Sequence, residues 1–196
     1  MTLGELRSWI LRTVKRPELT HEALDAINYA IEYAAIDGDY AFDLVEGTLA
    51  IDPQAYAQSI VIADEFPLFR KVKYLRPSGY NKYLGWRDPA RIFDKNGCEA
   101  TNCYYMAGGN IVIKLQVLAA SVLYGYYATH EIVTSQTDIN TETSYMKTMP
   151  SAIHELSCAY LWDTIGNEAE SQRAERRGIK LLMMHKTDKQ DGVAHS

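Results

Sequence analysis

Cys98 and Cys103, with His130 downstream, are the residue types that hold zinc, because thiolate and imidazole are its usual protein donors. A structural zinc site takes four ligands in tighter pairs, and the fourth is missing, so idle thiols are the better reading. His154 and Cys158 stand four apart in a helix-like segment, which puts an imidazole and a thiol on one face, as a base and a nucleophile would be. Leu156-Ser157-Cys158 has no elbow glycines and a helical cysteine is commonly core, so packing is the expectation for this pair. Asp88, Asp94 and Glu99 near Tyr80, Tyr83 and Trp86 could line a sugar groove with the acid and base of glycoside cleavage. A solvated loop is the plainer alternative. Gly108-Gly109 lacks the Gly-x-Gly-x-x-Gly pattern and a following helix, which leaves turn chemistry rather than a phosphate cradle. The expectation is a protein with no catalytic constellation, no metal and no cofactor.

Two segments carry the chemistry of contact instead. The loop 77–89 combines Tyr80, Tyr83, Trp86 and Arg87 with glycine and proline hinges, and these aromatic and Arg types bury large area at interfaces with little entropy lost. The last helical segment carries Arg176, Arg177 and Lys180, then Gly178-Ile179-Lys180-Leu181-Leu182-Met183-Met184. Such an apolar run near a terminus fits core, yet methionine also suits a surface that must adapt to a partner, and docking is the expectation.

The elements that position these residues follow from spacing. Thr2-Leu3-Gly4-Glu5 has the capping-box pattern, Leu3, Leu6, Trp9 or Ile10, and Val14 recur at helical spacing, and Pro17 ends the run. A second helix starts near Thr20 with Leu24, Ile27, Ile31 and Ala34 or Ala35 on one stripe, giving a helical hairpin over 1–38. Strand-like runs follow at 42–50, 59–63, 69–75, 103–106, 111–115 and 118–130, with Gly108-Gly109-Asn110 as a hairpin turn. Residues 133–149, rich in Thr, Ser, Asn and Asp, read as a surface loop. Pro150 opens the C-terminal helices over 150–186, and 187–196 is a polar, flexible tail. The expected fold class is α+β, mainly helical: a helical bundle from both chain ends, a β-rich insertion over 40–132 and an extended C-terminal tail, within one domain of 196 residues.

With 20 Lys and Arg against 25 Asp and Glu, the net charge is -5, which argues against a protein that grips the phosphate backbone. Three cysteines form no disulfide framework, no basic leader precedes a long apolar run, and no apolar stretch approaches the roughly 20 residues that cross a bilayer. Synthesis in the cytoplasm is the expectation.

The order of elements resembles the head-to-tail adaptor (connector) proteins of tailed bacteriophages, particularly the podovirus type. The likeness rests on the helical hairpin, Ile62-Ala63-Asp64-Glu65-Phe66 before a strand, Tyr104-Tyr105-Met106-Ala107-Gly108-Gly109 leading into Asn110-Ile111-Val112-Ile113, and Val122-Leu123-Tyr124-Gly125-Tyr126-Tyr127-Ala128. It departs where Pro67 follows the Phe instead of a proline preceding the acid. The resemblance implies a virion subunit at the neck, in a ring that is usually dodecameric, docked under the portal protein. Such a ring extends the channel through which double-stranded DNA passes without specific binding, and carries the tail nozzle and tail fibres. By the same likeness Arg176, Arg177, Lys180, Leu182, Met183 and Met184 face the portal, and Tyr80, Tyr83, Trp86 and Arg87 face the tail or a neighbouring subunit. Another neck or tail-completion protein, or a cell-wall glycan hydrolase, are the alternatives.

Overall fold

The computed structural model describes residues 1–55, 57–89, 102–116, 119–130 and 132–187, with side chains through residue 185. Asp94, Cys98 and Glu99, and the tail beyond Thr187, lie outside the described residues. The fold is mixed α+β, with helices from both ends of the chain flanking a β-rich middle. The chain forms two compact units, one of Met1–Phe42 with His130–Ser196 and one of Asp43–Thr129, each with its own hydrophobic core.

The first unit is helical. Helix α1 (Leu3–Val14) starts at a capping box: the Thr2 hydroxyl accepts from the Glu5 amide at 3.2 Å, and the Glu5 carboxylate accepts from the Thr2 amide at 2.9 Å. It ends on Lys15, whose φ of 59° lies in the left-handed region, just ahead of Pro17. Leu3, Leu6, Ile10 and Val14 are its buried stripe. Helix α2 (Thr20–Asp37) buries Ala23, Ala26, Ala30 and Ala34 beside Leu24, Ile27 and Ile31, and these small residues let a neighbour come close.

Residues 133–149 are not all loop. Ser144–Thr148 form a short helix, α4, because the Thr143 hydroxyl accepts from the Met146 amide at 3.2 Å and caps it. Tyr145, Met146 and Met149 drop from it into the helical core. The rest of the segment serves α1, whose Leu3 and Gly4 amides donate to the carbonyls of Thr141 and Ile139, both at 2.8 Å.

Pro150 opens helix α5 (Pro150–Thr164), and Asn167 precedes helix α6 (Glu168–Thr187), its side chain accepting from the Glu170 amide at 3.4 Å. Helix α5 is the hub, packed against α1, α2, α4 and α6, with the Ser157 hydroxyl donating to the Ala26 carbonyl at 3.2 Å.

The second unit holds two sheets over one core. Strand β7 (Ser121–Ala128) lies between β1 (Leu44–Ala50) and β3 (Phe69–Pro77), antiparallel to both. The other sheet runs β2 (Ala57–Val61), β6 (Asn110–Lys114), β5 (Cys103–Ala107), β4 (Gly85–Trp86), with β4 parallel to β5. Gly108 and Gly109, at φ 57° and 79°, make the two-residue β5–β6 turn, a geometry open to glycine because both central residues need positive φ. Alternate residues Ile111 and Ile113 of β6 point inward with Ile60, meeting Leu75, Val122 and Tyr126 of the other sheet in one core. The strand expected over 59–63 stops at Val61, and Ile62–Glu65 form a single helical turn, α3. That turn delivers Phe66 into the core, where its ring meets Tyr124 and Tyr126 edge-on. Among the described residues, no helix is long and apolar enough to cross a membrane.

Candidate functional site

Helix α6 divides the residues expected at the portal face into two groups. Gly178 backs onto α5 so closely that a Cβ there would fall 2.7 Å from Leu156 Cγ, and this approach fixes which side of α6 is inward. Leu182, one turn on, is 0 % exposed and belongs to the core, so it is corrected from docking residue to packing residue. Met183 and Met184 stand on the outer side, 60 % and 58 % exposed. Arg177 is bound to Glu155 of α5 at 2.9 Å, and Arg173 to Glu170 at 2.7 Å. Arg176 and Lys180 are exposed, and neither takes part in an ion pair among the described residues.

The loop 77–89 is tied down at several points. Leu84 is buried and its amide donates to the Leu75 carbonyl at 2.8 Å, the Ser78 amide donates to Ser121 at 2.8 Å, and the Arg87 amide to Tyr104 at 2.9 Å. Tyr83 and Trp86 on either side of Leu84 project into solvent, with Tyr83 leaning on the Tyr74 ring at 5.4 Å. Tyr80 is half-buried and Arg87 is exposed. The result is a pre-ordered aromatic surface, which loses little entropy on binding.

His154 and Cys158 do come together, with Nε2 at 3.5 Å from Sγ, but inside the helical core. Nε2 also lies 3.0 Å from Thr13 Oγ1, and Trp9 stacks on the imidazole at 3.8 Å. Burial pushes the Cys158 thiol up to about 12 and pulls the imidazole down, so the thiol stays protonated and the ring neutral. An activated nucleophile needs the opposite shift and access to substrate. Cys103 is buried too, and burial raises its thiol. Among the described residues, no three His, Cys, Asp or Glu side chains gather as a metal site would need.

One feature went unread in the sequence: a groove of about 450 Å³ in the helical unit. Tyr29 and Tyr33 from successive turns of α2 meet Tyr160 of α5, with ring centroids 6.2 Å apart for Tyr29–Tyr33 and 5.0 Å for Tyr29–Tyr160. Asp163 of α5 and Glu168 and Glu175 of α6 complete the walls with Ser171 and Gln172, and among the described residues no Lys or Arg lines it. Ser171 fixes one wall by donating to the Ala159 carbonyl at 2.9 Å. Burial first, then the Glu175 carboxylate, raises the Tyr29 phenol, and burial followed by Asp37 and Glu175 raises that of Tyr33. The signal was present as helical spacing: Tyr29 with Tyr33, Tyr160 with Asp163, and Glu168 with Glu175.

No protein-family model matches the chain, and no curated protein matches it.

Proposed function

We propose that the chain is a structural subunit of a phage neck: a head-to-tail adaptor that docks under a portal ring, extends the DNA channel and carries the tail nozzle and fibres. The observation that carries this reading is the split of contact chemistry between two units. The helical unit, built from both ends of the chain, offers exposed Met183 and Met184 beside Arg176 and Lys180. The β unit offers Tyr83 and Trp86 on an anchored loop. A junction protein needs two such surfaces, one for each neighbour. The buried His154–Cys158 pair, with its raised thiol, supports a structural rather than a catalytic role. The net charge of -5 suits a channel wall that must not hold DNA. Deleting the gene from its phage should give DNA-filled heads without tails, restored by supplying the chain in trans. Complete, infective particles without the chain would reject the reading.

A further inference from the structure

We infer that the groove walled by Tyr29, Tyr33 and Tyr160 receives the Arg176 and Lys180 side chains of a second copy of this chain. Its walls are what an organic cation seeks. A guanidinium or ammonium group is held over aromatic faces within about 6 Å of a ring centroid, and the three tyrosines stand 5.0 and 6.2 Å from ring to ring. Asp163, Glu168 and Glu175 bring three negative charges to the same space, and among the described residues none accepts a side-chain hydrogen bond or an ion pair. A cation that enters the groove is attracted by all three.

The matching cations are on the same chain but do not line this groove. Arg173 and Arg177 are held by Glu170 and Glu155, which among the described side chains of α6 leaves Arg176 and Lys180, four residues apart and both exposed. At about 100° per residue, Glu168, Gln172 and Glu175 share one side of α6, while Arg176 and Lys180 lie further round the helix. Helical neighbours at i and i+1 do not face each other, so Arg176 does not neutralise Glu175 of its own chain. A chain with an acidic aromatic groove and, starting one turn beyond Gln172 at its edge, a basic pair that makes no ion pair among the described residues can meet its copy head to tail, a contact that repeats and closes into a ring if the rotation allows. This inference bears on the adaptor reading at one point: it gives Arg176 and Lys180 to a neighbouring copy and leaves the exposed Met183 and Met184 as the contact with the portal.

Sedimentation velocity of the full chain at low salt, over a concentration series, tests it. Association is expected to grow with concentration and to weaken with added salt. It should weaken by roughly tenfold or more in Glu175→Arg and in Arg176→Glu, and recover when both changes are in one chain, because the swapped charges attract again. Tyr29→Leu should weaken it with every charge kept. Glu175 and Arg176 are exposed, so circular dichroism should show each charge variant folded. A wild-type chain that stays monomeric, an association indifferent to Glu175→Arg, or a double variant no better than the single ones overturns the assignment. A chain that binds portal yet fails these tests leaves the adaptor reading standing.

Discussion

Gly178 of α6 lies against Leu156 of α5, where an added Cβ would come within 2.7 Å of Leu156 Cγ, 2.8 Å of Cδ2 and 3.3 Å of the Leu156 amide nitrogen. Alanine normally favours a helix interior over glycine by about 1 kcal/mol, but overpacking a core costs about 1–3 kcal/mol. The clash wins here because Leu156 is buried and its backbone cannot retreat. Gly178→Ala is therefore expected to destabilise the protein by about 1 kcal/mol, read as a lower urea midpoint; a raised midpoint would show that the two helices have room to part.

Leu182 and Met184 stand two residues apart on α6 with opposite surroundings. Leu182→Ala should cost about 2–5 kcal/mol of stability, the range for a buried leucine. Met184→Ala should change stability by less than about 0.5 kcal/mol, as an exposed position does. Thermal melts of the two variants check the contrast, and equal losses would contradict the inward side assigned to α6.

His154 is buried and its burial lowers the imidazole pKa, so the folded state resists the proton that the unfolded state accepts. The stabilisation from keeping this ring neutral is full above the unfolded value of about 6.5 and is lost as pH falls below it toward the lower folded value. The slope for this one group is at most about 1.4 kcal/mol per pH unit. Urea midpoints measured from pH 7.5 to 5 should fall more steeply for the wild type than for His154→Gln, in which the titrating ring is gone. Parallel curves would mean that His154 does not titrate with unfolding.

Cys158, with its thiol pushed up to about 12, should not react with iodoacetamide at pH 8 while the protein is folded. Mass spectrometry after brief labelling should find Cys158 unmodified in buffer and modified in 6 M urea. Rapid labelling of the folded chain would reopen the reading of His154 and Cys158 as base and nucleophile.

Where a local pattern decides the geometry, the sequence was enough. Thr2 and Glu5 with Pro17 bounded α1, Pro150 opened α5, and Gly108-Gly109 set the β5–β6 turn, because each acts through its own φ, its own amide or its nearest neighbours. Helix α4 was hidden because Thr143, Ser144 and Thr148 look like loop chemistry, and only the cap at Met146 and the burial of Tyr145 and Met149 reveal a helix. Strand β4 has two residues and exists through its parallel pairing with Cys103 and Tyr104, which no local pattern announces. Of the residues proposed for contact, Met183, Met184, Tyr83 and Trp86 are exposed, whereas Leu182 could not be told from them until the side of α6 facing Leu156 was known. The tyrosine groove joins α2, near the start of the chain, to the consecutive helices α5 and α6 near its end, so its parts were visible and their meeting was not.

The adaptor role itself is tested most directly by native mass spectrometry of the full chain mixed with the portal protein encoded in the same genome. The expected result is a portal ring carrying a stoichiometric set of this chain, with Met183→Asp/Met184→Asp folded but absent from the complex. Portal rings that stay bare at every mixing ratio, with both proteins folded, would contradict the role.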